Sequence, residues 1–144
     1  MLVVDVNVLV DAHRISARRH EAILAWLAAA RSGSETLAIP GSVADSFVRI
    51  VTNRRVFPDP ASIDVALAFI DSLMAGPAVR RIEPGPTHWA LFADICRASR
   101  AVGDLVPDAW LAALAIENRA TLITADRGFL RYPRLKWRDP LADV

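Results

Sequence analysis

The chain has one cysteine, Cys96, one lysine, Lys136, and no run of eighteen apolar residues. A lone thiol excludes an intrachain disulfide framework, and no Cys/His group has the spacing of zinc ligands. Without a long apolar run there is no transmembrane helix to expect, and Met1-Leu-Val-Val-Asp5 carries an acid where a secretory signal would carry basic residues. The expectation is a soluble, cytoplasmic protein with no membrane partner. An excess of one charge sign is also missing. Seventeen basic and 16 acidic residues leave a net charge of +1, which argues against a basic nucleic-acid coat and against an acidic disordered tail. An anionic partner must therefore be gripped locally. Sixteen of the 17 basic residues are Arg and Ala is abundant, a pattern that reads as GC-rich coding and not as RNA affinity. Glu is scarce as well: Asp outnumbers it twelve to four, although Glu is the better helix former. Asp concentrates where chains turn, cap or bind metal.

What is present is enough for one domain of 144 residues, with 53% apolar side chains to fill a core. Leu2 to Val6 reads as a buried strand, followed by a helix through His13 and a second helix from Arg19 to Arg31. Thr36 to Ile39 reads as a strand, Pro40-Gly-Ser opens a helix through Val51, and Asn53 to Pro60 is a loop. A helix over Ala61 to Ala75 and a strand over Val79 to Ile82 come next. After them lies a helix from Thr87 to Arg100, with Trp89, Phe92, Ala93 and Cys96 on one face. A helix from Pro107 to Asn118, a strand from Thr121 to Thr124 and a short strand from Leu135 to Trp137 complete the pattern. Strands separated by helices predict an α/β fold with a central, mainly parallel sheet and helices on both faces.

In such sheets ligands bind outside the carboxyl ends of the strands. Asp5 ends the first predicted strand, Asp126 lies two residues past the Thr121 to Thr124 strand, and Asp108 opens the helix that feeds it. Three acids far apart in sequence can thus converge on one sheet edge. Clustered carboxylates repel unless a cation neutralises them, and Mg²⁺ or Mn²⁺ prefers oxygen ligands. Each acid also has a plainer reading: Asp5 as a helix cap, Asp108 as a first-turn residue favoured by the helix dipole, Asp126 as a turn residue. Asn7 can hydrogen-bond Asp5 or cap a helix, and Thr124 can orient Asp126 or simply end a strand. Arg14, Arg18 and Arg19, beside His13, are candidate phosphate contacts, with a solvated helix face as the alternative. Trp26, Trp89 and Trp110 read as core or dimer-interface residues ahead of base-stacking platforms.

Asp5-Val-Asn7-Val-Leu, Pro107-Asp108-Ala-Trp-Leu-Ala-Ala-Leu-Ala and Thr121-Leu-Ile-Thr124-Ala-Asp126-Arg-Gly-Phe129 together resemble the three signature blocks of PIN-domain ribonucleases, specifically the VapC toxins. Phe47-Val-Arg49, Thr52 to Phe57 and Trp137-Arg-Asp-Pro-Leu extend the likeness over essentially the whole chain. The resemblance implies a PIN-like sheet between helices, a Mg²⁺- or Mn²⁺-dependent endoribonuclease, a homodimer and a small VapB-like antitoxin that blocks the site. One position departs from the pattern. Where family members commonly carry a Glu on the helix after strand two, this chain has Ser46, with Asp45 beside it. Asp45 and Asp104 are therefore candidates for a fourth acid. Asp45 faces about 100° away on a regular helix and is equally placed to pair with Arg49, while Asp104 can be an ordinary loop residue.

The reading that follows is hydrolysis of RNA by a metal-activated water, leaving 5′-phosphate and 3′-hydroxyl ends, since no Ser-His-Asp or His-His arrangement stands at readable spacing. Two alternatives compete. A phosphotransferase using Asp5 as a nucleophile usually needs an acid two residues on, where this chain has Asn7. A non-catalytic PIN-like module for RNA or protein binding is favoured by Ser46 and opposed by the three acids.

Overall fold

The computed structural model describes residues 1–142. Five short strands, β1 (Leu2–Val4), β2 (Leu37–Pro40), β3 (Val79–Ile82), β4 (Thr121–Ile123) and β5 (Lys136–Arg138), form one sheet in the order β3-β2-β1-β4-β5. Every pairing is parallel, so the expected mainly parallel sheet is wholly parallel among the described residues. The central strand β1 pairs Leu2 and Val3 with Leu37 and Ala38 on one side, and Leu2, Val3 and Val4 with Thr121, Leu122 and Ile123 on the other. All three of its residues are buried, as a strand covered on both faces requires. The edge strands β3 and β5 carry exposed Arg and Lys, Arg80 and Arg81 on one and Lys136 and Arg138 on the other, which blunts their open hydrogen-bonding edges.

Six helices cover the sheet: α1 (Val6–His13), α2 (His20–Ala30), α3 (Gly41–Val51), α4 (Ile63–Met74), α5 (His88–Ser99) and α6 (Leu105–Glu117). They pack in two groups, α1 with α2 and α3 and α3 with α4, then α5 with α6. The strand order explains this grouping. The chain steps from β1 to β2 to β3 in one direction and then returns across β1 to β4 and β5. Right-handed crossovers in opposite directions place their helices on opposite faces. The order therefore reverses between β1 and β4, where open α/β sheets form their binding crevice. Val43, Phe47 and Val51 recur every four residues on α3 and are buried, while Leu111 to Ala115 of α6 are buried in a continuous run. No helix among the described residues is long and apolar enough to cross a membrane.

Several boundaries move for identifiable reasons. The first strand was expected to reach Val6 but ends at Val4. Asp5 takes an extended conformation and accepts a hydrogen bond from the Val6 backbone N–H, which starts α1 one residue after the carboxylate. α6 begins at Leu105, two residues before the expected Pro107, because a proline is tolerated in a first turn whose N–H groups have no intrahelical partner. The last strand is displaced by one residue to Lys136–Arg138, and a 3₁₀ turn over Arg127–Arg131 follows Asp126. Phe92 and Cys96 pack against the core as expected, whereas Trp89 on the same helix is 68% exposed.

Candidate active site

Asp5 stands at the carboxyl end of β1 and is only 7% exposed. Its side chain is held from three directions. Oδ1 accepts from the Val6 backbone N–H (2.6 Å), while Oδ2 accepts from Asn7 Nδ2 (2.6 Å) and from the Thr124 hydroxyl (2.7 Å). Thr124, fully buried at the end of β4, also accepts from Asn7 Nδ2 (2.9 Å) and from the Asp126 backbone N–H (3.0 Å). Asn7 completes the circuit by accepting the Ala125 N–H on Oδ1 (3.2 Å). The Thr124 hydroxyl thus uses its one donor and both lone pairs, and the network ties the start of α1 to the turn after β4. A carboxylate offers about four lone pairs, so one on Oδ1 of Asp5 remains for another partner.

Burial pushes the Asp5 carboxyl above the usual carboxylate range, and the nearby Asp126 charge pushes the same way, against the hydrogen bonds that favour the ionised form. Asp108, in the first turn of α6, rises to about 6, first by burial and then by the charges of Asp5, Asp126 and Asp104, with Arg131 opposing them. Asp5 therefore interacts through its charge with Asp108 and Asp126, each more than a hundred residues away in sequence. Among the described residues none of the three forms an ion pair with Arg, Lys or His. Asp5 and Asp108 share a cleft of about 330 Å³ with Ser42, Ser46, Pro107 and Trp110. Asp126 stands beside it, exposed, with Oδ1 turned onto the Gly128 N–H (2.7 Å) as the cap of the 3₁₀ turn. The capping readings of Asp5 and Asp126 are realised, and the Asp126 charge reaches Asp5.

With one Asp126 oxygen on Gly128 and Asp5 held in its own circuit, no three His, Cys, Asp or Glu side chains among the described residues already close around a common point. The donor set nevertheless suits a hard cation: the acids present oxygen atoms only and carry uncompensated charge, and Asp5 and Asp108 are raised in pKa first by burial and then by neighbouring carboxylates.

Neither candidate fourth acid lies in the cleft. α3 is regular, so Ser46 faces the cleft, whereas Asp45 is exposed and its expected pair with Arg49 does not form. Asp104 is the exposed residue at the amino end of α6 and reaches Asp108 only through its charge. Of the three candidate phosphate contacts, Arg14 lies under the loop before α4. Its guanidinium bonds the Asp59 carbonyl (2.9 Å) and carboxylate (2.7 Å) and sits 4.1 Å from the centre of the Phe57 ring. Arg19 pairs with Asp139, and Arg18 is exposed on the turn before α2. No histidine lines the cleft. His13 is wedged edge-on between Phe47 and Phe69, His20 hydrogen-bonds the Asp11 carbonyl, and buried His88 hydrogen-bonds the Trp110 carbonyl. Burial lowers the His13 pKa, with help from Arg14 and His20.

Trp26 packs against the core, while Trp110 lines the cleft beside the acids. Sequence reasoning missed Ser42 and Arg131. Ser42 had one available signal, its place just beyond the carboxyl end of β2; Arg131 had none, because its relation to Asp108 depends on the 3₁₀ turn.

The family model described as "PIN domain" matches residues 2–135. Ribonuclease VapC43 of Mycobacterium tuberculosis is 48% identical over 141 residues, covering 98% of this chain and 96% of the relative. Among solved structures, VapBC2 from Rickettsia felis bound to a promoter DNA fragment superposes with a TM-score of 0.70 at 18% identity, over 96% of this chain and 97% of that one. A toxin-antitoxin complex from Klebsiella pneumoniae gives 0.62 at 20% identity, over 97% and 98%. These two share the fold, and the close relative narrows it: the chain belongs to the PIN-domain family, within the VapC ribonucleases.

Proposed function

We propose that this protein is a metal-dependent endoribonuclease that acts as the toxin of a toxin-antitoxin pair. The observation that carries the reading is the approach of Asp5, Asp108 and Asp126, three carboxylates with no cationic partner, at the point where the strand order reverses. Close similarity to a ribonuclease over nearly the whole chain supports RNA as the substrate. The Rickettsia felis VapBC2 structure supports a VapB-like antitoxin as partner, and the exposed Ile63, Val65 and Leu67 of α4 support a homodimer.

Asp5, Asp108 and Asp126 are the residues that would hold Mg²⁺ or Mn²⁺. When bound, the ion supplies charge neutralisation and Lewis acidity toward a phosphodiester. The chain's own contributions are positional. Asn7 and Thr124 saturate Oδ2 of Asp5 and leave Oδ1 with an open lone pair; Thr124 also fixes the backbone from which Asp126 projects. Asp108 keeps its proton up to about pH 6 in the metal-free chain. No histidine is at hand to run general acid-base chemistry on the RNA 2′-hydroxyl, which favours attack by water and 5′-phosphate products.

The test is RNA cleavage with Mg²⁺ or Mn²⁺ added back to chelator-treated protein, beside an Asp5→Asn variant whose folding is checked by circular dichroism. Metal-dependent cleavage lost in the variant is the expected result. Full cleavage by Asp5→Asn would remove the acids from the mechanism, and binding without cleavage in wild type would make the chain a binding module.

A further inference from the structure

Asp126 has a cavity on its other flank. About 400 Å³ of space is lined by Arg19, Ala125, Arg127, Trp137, Asp139 and Leu141, so the two neighbours of Asp126 in the chain belong to its wall. The volume falls within the range of small-molecule sites, roughly 300–1,000 Å³. Its wall is built from distant parts of the chain. Arg19, at the amino end of α2, pairs with Asp139, just past β5, across 120 residues of sequence. Asp139 Oδ1 also accepts the Leu141 N–H (2.8 Å), which fixes the carboxylate that orients the guanidinium. Trp137 comes from β5, packs one side against the core and is only half-buried. Arg127 is exposed and forms no ion pair among the described residues. Among the described residues that line the cavity, Arg19 is neutralised by Asp139 and Arg127 is the remaining charge.

An indole wall and an uncompensated guanidinium beside a phosphodiester-cutting centre match one kind of occupant. We propose that this cavity is a nucleotide subsite, in which Trp137 stacks on an unpaired base and Arg127, backed by the preset Arg19, holds the phosphate next to the scissile one. The proposal rests on the ribonuclease reading and adds a substrate class to it. A base stacked in a duplex has no face to offer Trp137, so the RNA engaged here is single-stranded or a loop.

The experiment uses the whole chain and a fluorescein-labelled, mixed-sequence single-stranded oligoribonucleotide. Affinity is read by anisotropy in EDTA and, in parallel, as the protein concentration giving half-maximal cleavage in Mg²⁺. Trp137→Leu should weaken binding by about five-fold or more, as expected for loss of one stacked base, while Trp137→Phe retains most of it. Arg127→Ala should weaken binding and flatten the dependence of log K on log salt by about 0.7, the amount for one phosphate contact on a single strand, and Arg127→Lys should restore the slope. A duplex of equal length should compete poorly. If Trp137→Leu fails to fold, the Arg127 pair decides. Unchanged affinity and salt slope in Arg127→Ala, or equal binding of duplex and single strand, would overturn the subsite while wild-type cleavage still upheld the nuclease. A wild-type chain that neither binds nor cuts RNA would overturn both.

Discussion

Asp108→Asn should make the metal-free protein more stable at neutral pH. A rise from the ordinary 3.8 to about 6 means that the folded state disfavours the charged carboxylate by about 3 kcal/mol relative to the unfolded chain. The carboxyl remains partly open to water, and screening reduces this to about 1–2 kcal/mol. The sign follows from linkage: the folded state binds the proton more tightly, so the penalty is absent below about pH 4, where both states are protonated. It grows as pH rises toward 6 and is complete above it. The raised Asp5 works in the same direction. An amide at position 108 keeps the shape and removes the charge that Asp5 and Asp126 oppose. Urea unfolding in EDTA, followed by tryptophan fluorescence, should show a higher midpoint for Asp108→Asn at pH 7.5 and near-equality with wild type at pH 4. A variant equally stable or less stable at pH 7.5, or a gain that does not change with pH, would refute the carboxylate repulsion on which the site is built.

Tyr132→Phe should stabilise the chain by about 1 kcal/mol, because the buried Tyr132 hydroxyl has no hydrogen-bond partner and its burial is uncompensated; a loss of stability on calorimetry would show that the hydroxyl is bonded after all. Ser46→Glu puts a fourth carboxylate on the cleft wall and should tighten Mn²⁺ binding by about ten-fold in titration calorimetry while lowering metal-free stability; unchanged affinity would mean that position 46 lies out of reach of the ion. EDTA should stop RNA cleavage, Mg²⁺ or Mn²⁺ should restore it, and Ca²⁺ should support binding better than cleavage. The products should carry 5′-phosphates, and 2′,3′-cyclic phosphates on mass spectrometry would contradict the histidine-free cleft.

The three acids were legible because each stands at a boundary that the pattern marks: Asp5 and Asp126 just past an apolar strand, Asp108 at the Pro107-Asp108 helix opening. The sheet was legible for a related reason: Leu2-Val-Val, Leu37-Ala-Ile and Thr121-Leu-Ile are short apolar runs of the kind a strand covered on both faces needs. What stayed hidden depends on distance in sequence or on direction around a helix. Arg14 and Arg19 looked like free cations because Asp59 and Asp139, 45 and 120 residues away, were not visible as their partners. Trp89 looked like part of an apolar face with Phe92 and Cys96, but in the first turn of α5 it is the preceding residue, His88, that is buried, and Trp89 stands on the exposed side. Ser42 lines the cleft without leaving any trace in composition or periodicity, and Ser46 was placed by the family resemblance alone.

The pairing of β1 with β4 has a consequence for when activity can arise. Asp5 is near the start of the chain, yet its neighbour strand, the Thr124 hydroxyl that holds it and the third acid all come more than 115 residues later. A growing chain passes the first two acids before any of these exist, and β1 has to wait for its long-range partner to emerge before it can take its central place. No fragment ending before Asp126 contains the complete set of acids. On the function proposed above, the chain would be harmless through most of its synthesis, and its antitoxin would have to intercept only molecules whose late strand has already docked.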